Sequence, residues 1–172
     1  MRSLFKLDTQ DYDLNGKAFI RPSVRGIIIH DGKIGMVHSL KYDYYKFPGG
    51  GIESNESQHE ALIREVLEES GLCVIPETIQ EYGLVHRVQK GEKEAVFIQD
   101  NYYYFCDIEN EIHPQQLDDY EAEERFEFEL VDPMVAINVN RTKYHGPKDP
   151  IMLEREARVL EILLSEGYFR ST

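Results

Sequence analysis

The stretch from Phe47 to Leu72, FPGGGIESNESQHEALIREVLEESGL, restricts the fold more than any other part of this chain. Three consecutive glycines lead into a run whose charged side chains are glutamates with a single arginine, Arg64. Ser57 and Glu60 stand at capping-box spacing, so a helix is expected to begin at Ser57. Gly71 stands where a left-handed residue would end it. At about 100° per residue, Leu62, Ile63, Val66 and Leu67 cover one arc and are expected to be buried, while Glu65, Glu68 and Glu69 cover the opposite arc. Glu65 is i,i+3 to Glu68 and i,i+4 to Glu69, so the three carboxylates are neighbours that repel one another.

A charged helix face usually does no more than meet water. Here a triple-glycine loop stands beside it. Such a loop lets backbone approach a ligand closely and offers carbonyl oxygens. Clustered carboxylates are what hard divalent cations bind, and Mg²⁺ typically uses them together with substrate phosphates.

The stretch resembles the Nudix box, Gly-x5-Glu-x7-Arg-Glu-U-x-Glu-Glu-x-Gly-U, with U a bulky aliphatic residue. Gly50, Glu56, Arg64, Glu65, Val66, Glu68, Glu69, Gly71 and Leu72 fill every specified position. The resemblance implies an α+β fold, an α/β/α sandwich built on a mixed sheet. It implies that Glu65, Glu68 and Glu69, with the carbonyl of Gly49, hold Mg²⁺ or Mn²⁺, and that Glu65 or Glu68 serves as the catalytic base. Arg64 and Glu56 match an ion pair that orients loop and helix, and Gly50 and Gly71 match structural glycines. The implied reaction is hydrolysis of a diphosphate linkage in a nucleoside diphosphate-X compound, with a nucleoside triphosphate or modified nucleotide as the favoured substrate. Divalent ions would neutralise that anionic linkage and activate water, and a carboxylate would take the water proton. The competing reading is a nucleotide-sensing, non-catalytic module, against which the intact set of three glutamates argues. Some family members use a glutamate outside the box, and YEAEERF supplies Glu121, Glu123 and Glu124 as candidates for such an extra acid, with a solvated acidic loop as the plainer reading.

Elsewhere, SVRGIIIHDGKIGMVHS reads as two strands around an Asp31-Gly32 hairpin turn. EYGLVHRV, EAVFIQDNYYYFCDI and ERFEFEL read as further strands. Asp132-Pro133 and Asp149-Pro150 each place a cap before a first-turn proline and open two C-terminal helices, the second closed by Gly167. The order is strands, helix, strands, then two helices, which suggests helices packed on a mixed sheet in one domain over residues 1–172.

Arg25 and Arg87 are strand residues suited to phosphate, and Tyr45 and Phe47, next to the glycines, are candidates for stacking on a nucleobase. The six histidines lack ligand spacing and are read as structural or surface residues. With 19 Lys and Arg against 32 Asp and Glu, the formal net charge is −13. That balance disfavours a polynucleotide partner but admits a small anionic nucleotide. Cys73 and Cys106 sit among apolar residues and are read as buried thiols of a reducing compartment. No apolar run is long enough to span a membrane, and the start of the chain turns polar too early for a secretory signal. A cytoplasmic protein is therefore expected, and a homodimer is compatible with it.

Overall fold

The computed structural model describes residues 1–170. Six strands come first: β1 (Ser3–Asp8), β2 (Ala18–Ile20), β3 (Ser23–Ile27), β4 (Ile29–His30), β5 (Lys33–Ser39) and β6 (Tyr44–Lys46). Then follow α1 (Gln58–Ser70), β7 (Leu72–Val74), β8 (Gln80–Gln89), β9 (Val96–Phe105) and β10 (Ile108–Ile112). The chain closes with α2 (Asp119–Glu124), β11 (Phe126–Val131), α3 (Pro133–Thr142) and α4 (Pro150–Ser165).

The long antiparallel hairpin β8–β9 is the spine of a mixed five-stranded sheet. β1 joins β8 in parallel, while β2 and β3 line up in parallel along the free edge of β9. A second, antiparallel sheet runs β11-β5-β4, with β6 also on β5. Asp31 and Gly32 take φ of 48° and 72°, the positive pair that a two-residue turn of this kind requires. His30 and Lys33 pair across it.

Strand alternation divides the core into two layers. Val24 and Tyr104 point to one face, where they meet Ala61, Leu62 and Val66 of α1. Ile27, Val85 and Tyr103 point to the other face, where they meet Ala136 and Ile137 of α3 and Ala157, Leu160 and Leu163 of α4. The result is the α/β/α arrangement on a mixed sheet. Asp132 and Asp149 cap α3 and α4 through their side chains, each accepting from the backbone N–H two residues on.

Several expectations need correction. Ile63 and Leu67 are half-buried rather than buried. The edge strand β1 pairs with β8 across about eighty residues of sequence, a contact that local patterning does not reveal. The acidic segment before β11 is a helix, α2, with Asp118 and Glu121 forming a capping box, so β11 starts at Phe126. Tyr45 and Phe47 do not face the glycine loop as stacking surfaces. The Tyr45 ring stacks on His38 at 4.2 Å and its hydroxyl donates to Glu129 at 3.1 Å. Phe47 is fully buried, edge-on to Tyr103 at 5.3 Å. Both belong to the α4-side core because β6 packs beneath α3 and α4. Cys106 is buried, Cys73 is half-buried, and both are free thiols. Among the described residues no helix is long and apolar enough to cross a membrane.

Candidate active site

The glycine loop lies along the edge of β3. The Val24 N–H donates to the Gly50 carbonyl at 3.0 Å, and the Gly26 N–H to the Pro48 carbonyl at 2.8 Å. Gly49 adopts φ of 142°, and a Cβ there would fall 2.0 Å from the Val24 carbonyl oxygen. At Gly50 a Cβ would fall 2.4 Å from the Glu65 carboxylate. The loop is thus pressed between β3 and α1, at a distance that only glycine tolerates.

α1 starts as its sequence requires. Ser57 Oγ accepts from the Glu60 N–H at 3.2 Å, and the Ser57 N–H donates to Glu60 at 2.7 Å. Gly71, at φ of 73°, ends the helix. Arg64 then ties helix to loop. Its guanidinium donates twice to Glu56, at 2.5 and 3.0 Å, and once to the Gly51 carbonyl at 3.0 Å. The same group reaches Glu65 at 2.8 Å and Glu68 at 3.2 Å.

Glu69 departs from the opposite-arc expectation. It is 1% exposed, because β6 brings the Lys46 ammonium against its Oε1 and the loop brings the Gly49 N–H to its Oε2 at 2.9 Å. Burial pushes the Glu69 carboxyl up to about 7, against the opposing pull of Lys46 and Gly49. Burial also raises the Glu68 carboxyl.

What these oxygens touch tests whether they suit a divalent cation. The Arg64 guanidinium lies between Glu65 and Glu68. The Lys46 ammonium lies between Glu69 and the Gly49 carbonyl, 3.4 Å from the latter. Each pair of proposed ligands therefore already brackets a positive group, and every donor is a hard oxygen of the kind Mg²⁺ and Mn²⁺ take. The donor set fits. Among the described residues, however, no three His, Cys, Asp or Glu side chains converge at ligand spacing, and Arg64 and Lys46 take up one oxygen each of Glu65, Glu68 and Glu69.

The three extra acids separate. Glu123 is exposed and pairs with Lys41. Glu124 is buried and accepts from Tyr44 at 2.6 Å and Ser39 at 3.0 Å, with Lys148 on its other oxygen. Glu121 is buried, accepts from Tyr120 at 2.9 Å, and lies near enough to Glu69 to raise its pKa.

A cavity of about 940 Å³ opens beside the loop. Its lining holds eight basic side chains against three acidic ones, a local reversal of the chain's charge of −13. Arg25 and Arg87, picked out as phosphate candidates, both line it. Arg25 also donates to the Gly49 carbonyl at 2.7 Å. Lys46 lines the cavity and touches Glu69, so it belongs to both cavity and box. None of the box carboxylates lines the cavity itself. Sequence reasoning missed Lys46 and Arg155. The signal for Arg155 was present: it precedes Val159 by four residues on the buried stripe of α4, where a charge is out of place.

A family model described as a NUDIX domain matches residues 20–153. The chain belongs to the Nudix family. Members of this family generally use divalent metal ions. A segment of 54 residues is 46% identical to an RNA pyrophosphohydrolase of Halorhodospira halophila, covering 30% of this chain and 29% of that protein. A segment of 64 residues is 39% identical to an RNA pyrophosphohydrolase of Xylella fastidiosa, covering 37% and 33%. The matches thus span about a third of the length of these relatives. Among solved structures, the E. coli ORF135 protein is similar at TM-score 0.55 and 22% identity, over 86% of this chain and 93% of that one. A structure from work on MutT of Aliivibrio salmonicida and Vibrio cholerae gives TM-score 0.55 at 18% identity, over 86% and 99%. At these identities the likeness establishes the Nudix fold.

Proposed function

We propose that this chain hydrolyses a phosphoanhydride linkage in a nucleoside diphosphate-X compound, a nucleoside triphosphate or modified nucleotide foremost, using Mg²⁺ or Mn²⁺. The observation that carries the reading is the basic cavity meeting the box at Gly49, where Arg25 and Lys46 touch both. Glu65, Glu68, Glu69 and the Gly49 carbonyl would hold the ion. When bound, it supplies charge neutralisation at the diphosphate and a more acidic water.

The remaining work belongs to the side chains. Arg25 and Lys46 bind phosphate oxygens at the mouth of the loop. Arg64 holds Glu56, Gly51, Glu65 and Glu68 in one register. Water adds to one phosphorus, the bridging P–O bond breaks, and Glu65 or Glu68 takes the proton the water gives up. The raised Glu68 carboxyl is closer to the range in which a general base works well near neutral pH. Glu121, near Glu69, is the extra acid best placed to support the ion, ahead of Glu124 and the exposed Glu123.

The second reading, a non-catalytic nucleotide sensor, draws support from the ion pairs that occupy all three box carboxylates. A substrate panel decides between them. Nucleoside triphosphates, oxidised nucleotides, nucleotide sugars, ADP-ribose, dinucleoside polyphosphates and 5′-triphosphorylated RNA are incubated with Mg²⁺ or Mn²⁺, and phosphate and pyrophosphate are measured. The RNA is included because of the named relatives, although a charge of −13 weighs against a polynucleotide. Turnover of at least one compound supports the enzyme. Nucleotide binding without turnover of any of them leaves the sensor.

A further inference from the structure

Three guanidinium groups from three elements share the cavity: Arg25 on β3, Arg87 on β8 and Arg155 on α4. Arg87 donates to Asp149 at 2.6 Å and to Gln89 at 2.8 Å. Arg155 donates to Gln99 and Asn101, both at 3.0 Å, and to Glu156 at 2.8 Å. Arg25 donates to the uncharged Gly49 carbonyl. Two carboxylates thus face three guanidinium groups, which leaves one positive charge without a direct counter-ion.

Two further observations show that this set is incomplete. Arg25 is 7% exposed and Arg155 1%. Among the described residues, the Nε atoms of these two side chains are the buried side-chain nitrogens or oxygens with no hydrogen-bond partner. An unsatisfied buried donor is costly, more so on a charged group. In addition, burial pushes the Arg87 guanidinium down to about 10, with the charges of Arg155 and Arg25 acting in the same direction. A purely structural role for Arg155 explains its contacts with Gln99, Asn101 and Glu156. It explains neither the two orphaned N–H groups nor why three like charges are gathered where the chain is otherwise strongly acidic. An anion in the cavity answers the gathering of charge, because planar guanidinium groups match phosphate oxygens.

We propose that Arg25, Arg87 and Arg155 form an anion subsite for a phosphoryl group beyond the one attacked, so that the preferred substrates carry at least three phosphates in series. This rests on the hydrolytic reading above and narrows it. Nucleoside tri- and polyphosphates are favoured over nucleotide sugars, whose distal group offers no charge to the subsite. The cavity volume lies within the range of sites that enclose a ligand of nucleotide size.

The test separates the subsite from the chemistry. Inorganic tripolyphosphate is titrated calorimetrically into metal-free protein at fixed ionic strength. The proteins are wild type, Arg87→Gln, Arg87→Lys and the surface control Lys33→Gln, which removes the same charge from the exposed hairpin. Thermal unfolding checks that each variant is folded. We expect binding by wild type and Lys33→Gln within twofold of each other, a loss of at least tenfold in Arg87→Gln, and a smaller loss in Arg87→Lys, which keeps the charge without the fork. In turnover, Arg87→Gln is expected to raise KM for a nucleoside triphosphate at least tenfold while changing KM for a nucleotide sugar less than twofold. Equal tripolyphosphate binding by wild type and Arg87→Gln, or equal losses in Arg87→Gln and Lys33→Gln, overturns the subsite. Failure of the hydrolytic reading is seen separately, as Arg87-dependent tripolyphosphate binding by a protein that turns over no compound.

Discussion

Replacing Lys46 by Met removes the buried ammonium that faces Glu69, and the structure sets the size of the effect. The two side chains are 10% and 1% exposed, so neither charge has much access to water. Without Lys46, the Glu69 carboxylate retains the Gly49 N–H as its one partner among the described residues. Leaving one member of such a pair buried alone costs about 3–5 kcal/mol, a large part of the roughly 5–15 kcal/mol that holds a domain folded. The deficit should depend on pH. In wild type the folded carboxyl titrates at about 7 against an ordinary value of 4.5. A carboxyl raised on folding binds a proton more tightly in the native state, so its contribution to stability falls as pH rises between those two values. Removing Lys46 moves the upper limit higher, towards the roughly 8–9 reached by buried glutamates. The penalty should therefore be largest near pH 8 and shrink towards pH 5, where both proteins hold the proton. Urea unfolding in EDTA at the two pH values measures it, in Lys46→Met, Glu69→Gln and the double variant. We expect a coupling energy of at least about 1 kcal/mol at pH 8, one pH unit above the wild-type value, with the double variant more stable than Lys46→Met. Coupling below about 0.5 kcal/mol, the level of independent sites, would mean that the two charges do not meet, and the placement of Glu69 beneath the loop would be wrong.

Leu62→Ala should destabilise the protein by about 2–5 kcal/mol, because Leu62 is fully buried between α1 and the sheet; Leu67→Ala, at a half-buried position, should cost clearly less in the same urea titration. Gly50→Ala puts a methyl 2.4 Å from the Glu65 carboxylate, so we expect about 1–3 kcal/mol of destabilisation from overpacking, relieved in Gly50→Ala/Glu65→Ala. Burial pushes the Cys106 thiol up to about 12, so native protein at pH 8 should show slow labelling by a thiol reagent at Cys73 alone, with Cys106 reacting only after denaturation.

The parts of this fold written in short-range chemistry were legible. The capping box at Ser57 and Glu60, the left-handed Gly71, the Asp31-Gly32 turn and the two Asp-Pro helix starts each need only neighbouring residues. What failed depends on partners far along the chain. Glu69 lies on the polar arc of α1 by periodicity, yet it is buried because Lys46 arrives from β6. Tyr45 and Phe47 adjoin the glycines in sequence, but strand alternation and the packing of β6 send both rings into the core. β1 pairs with β8 and leaves no local mark of doing so. The acidic run around Glu121 held a readable signal, the Asp118 to Glu121 capping spacing, which was outweighed by its charge. The cavity is the least local feature, since Arg25, Arg87 and Arg155 come from three elements that only the fold brings together. Their charges were visible in the sequence, but their convergence was not.

The central claim is that α1 and the glycine loop hold a divalent ion beside the basic cavity, and anomalous scattering from crystals grown with Mn²⁺ tests it most directly. The account predicts a manganese peak at about 2–2.2 Å from oxygens of at least two of Glu65, Glu68 and Glu69, with the Lys46 ammonium or the Arg64 guanidinium moved off those oxygens. Full manganese occupancy only at surface acids such as Glu123, with the Lys46–Glu69 and Arg64–Glu65 pairs intact, would contradict it.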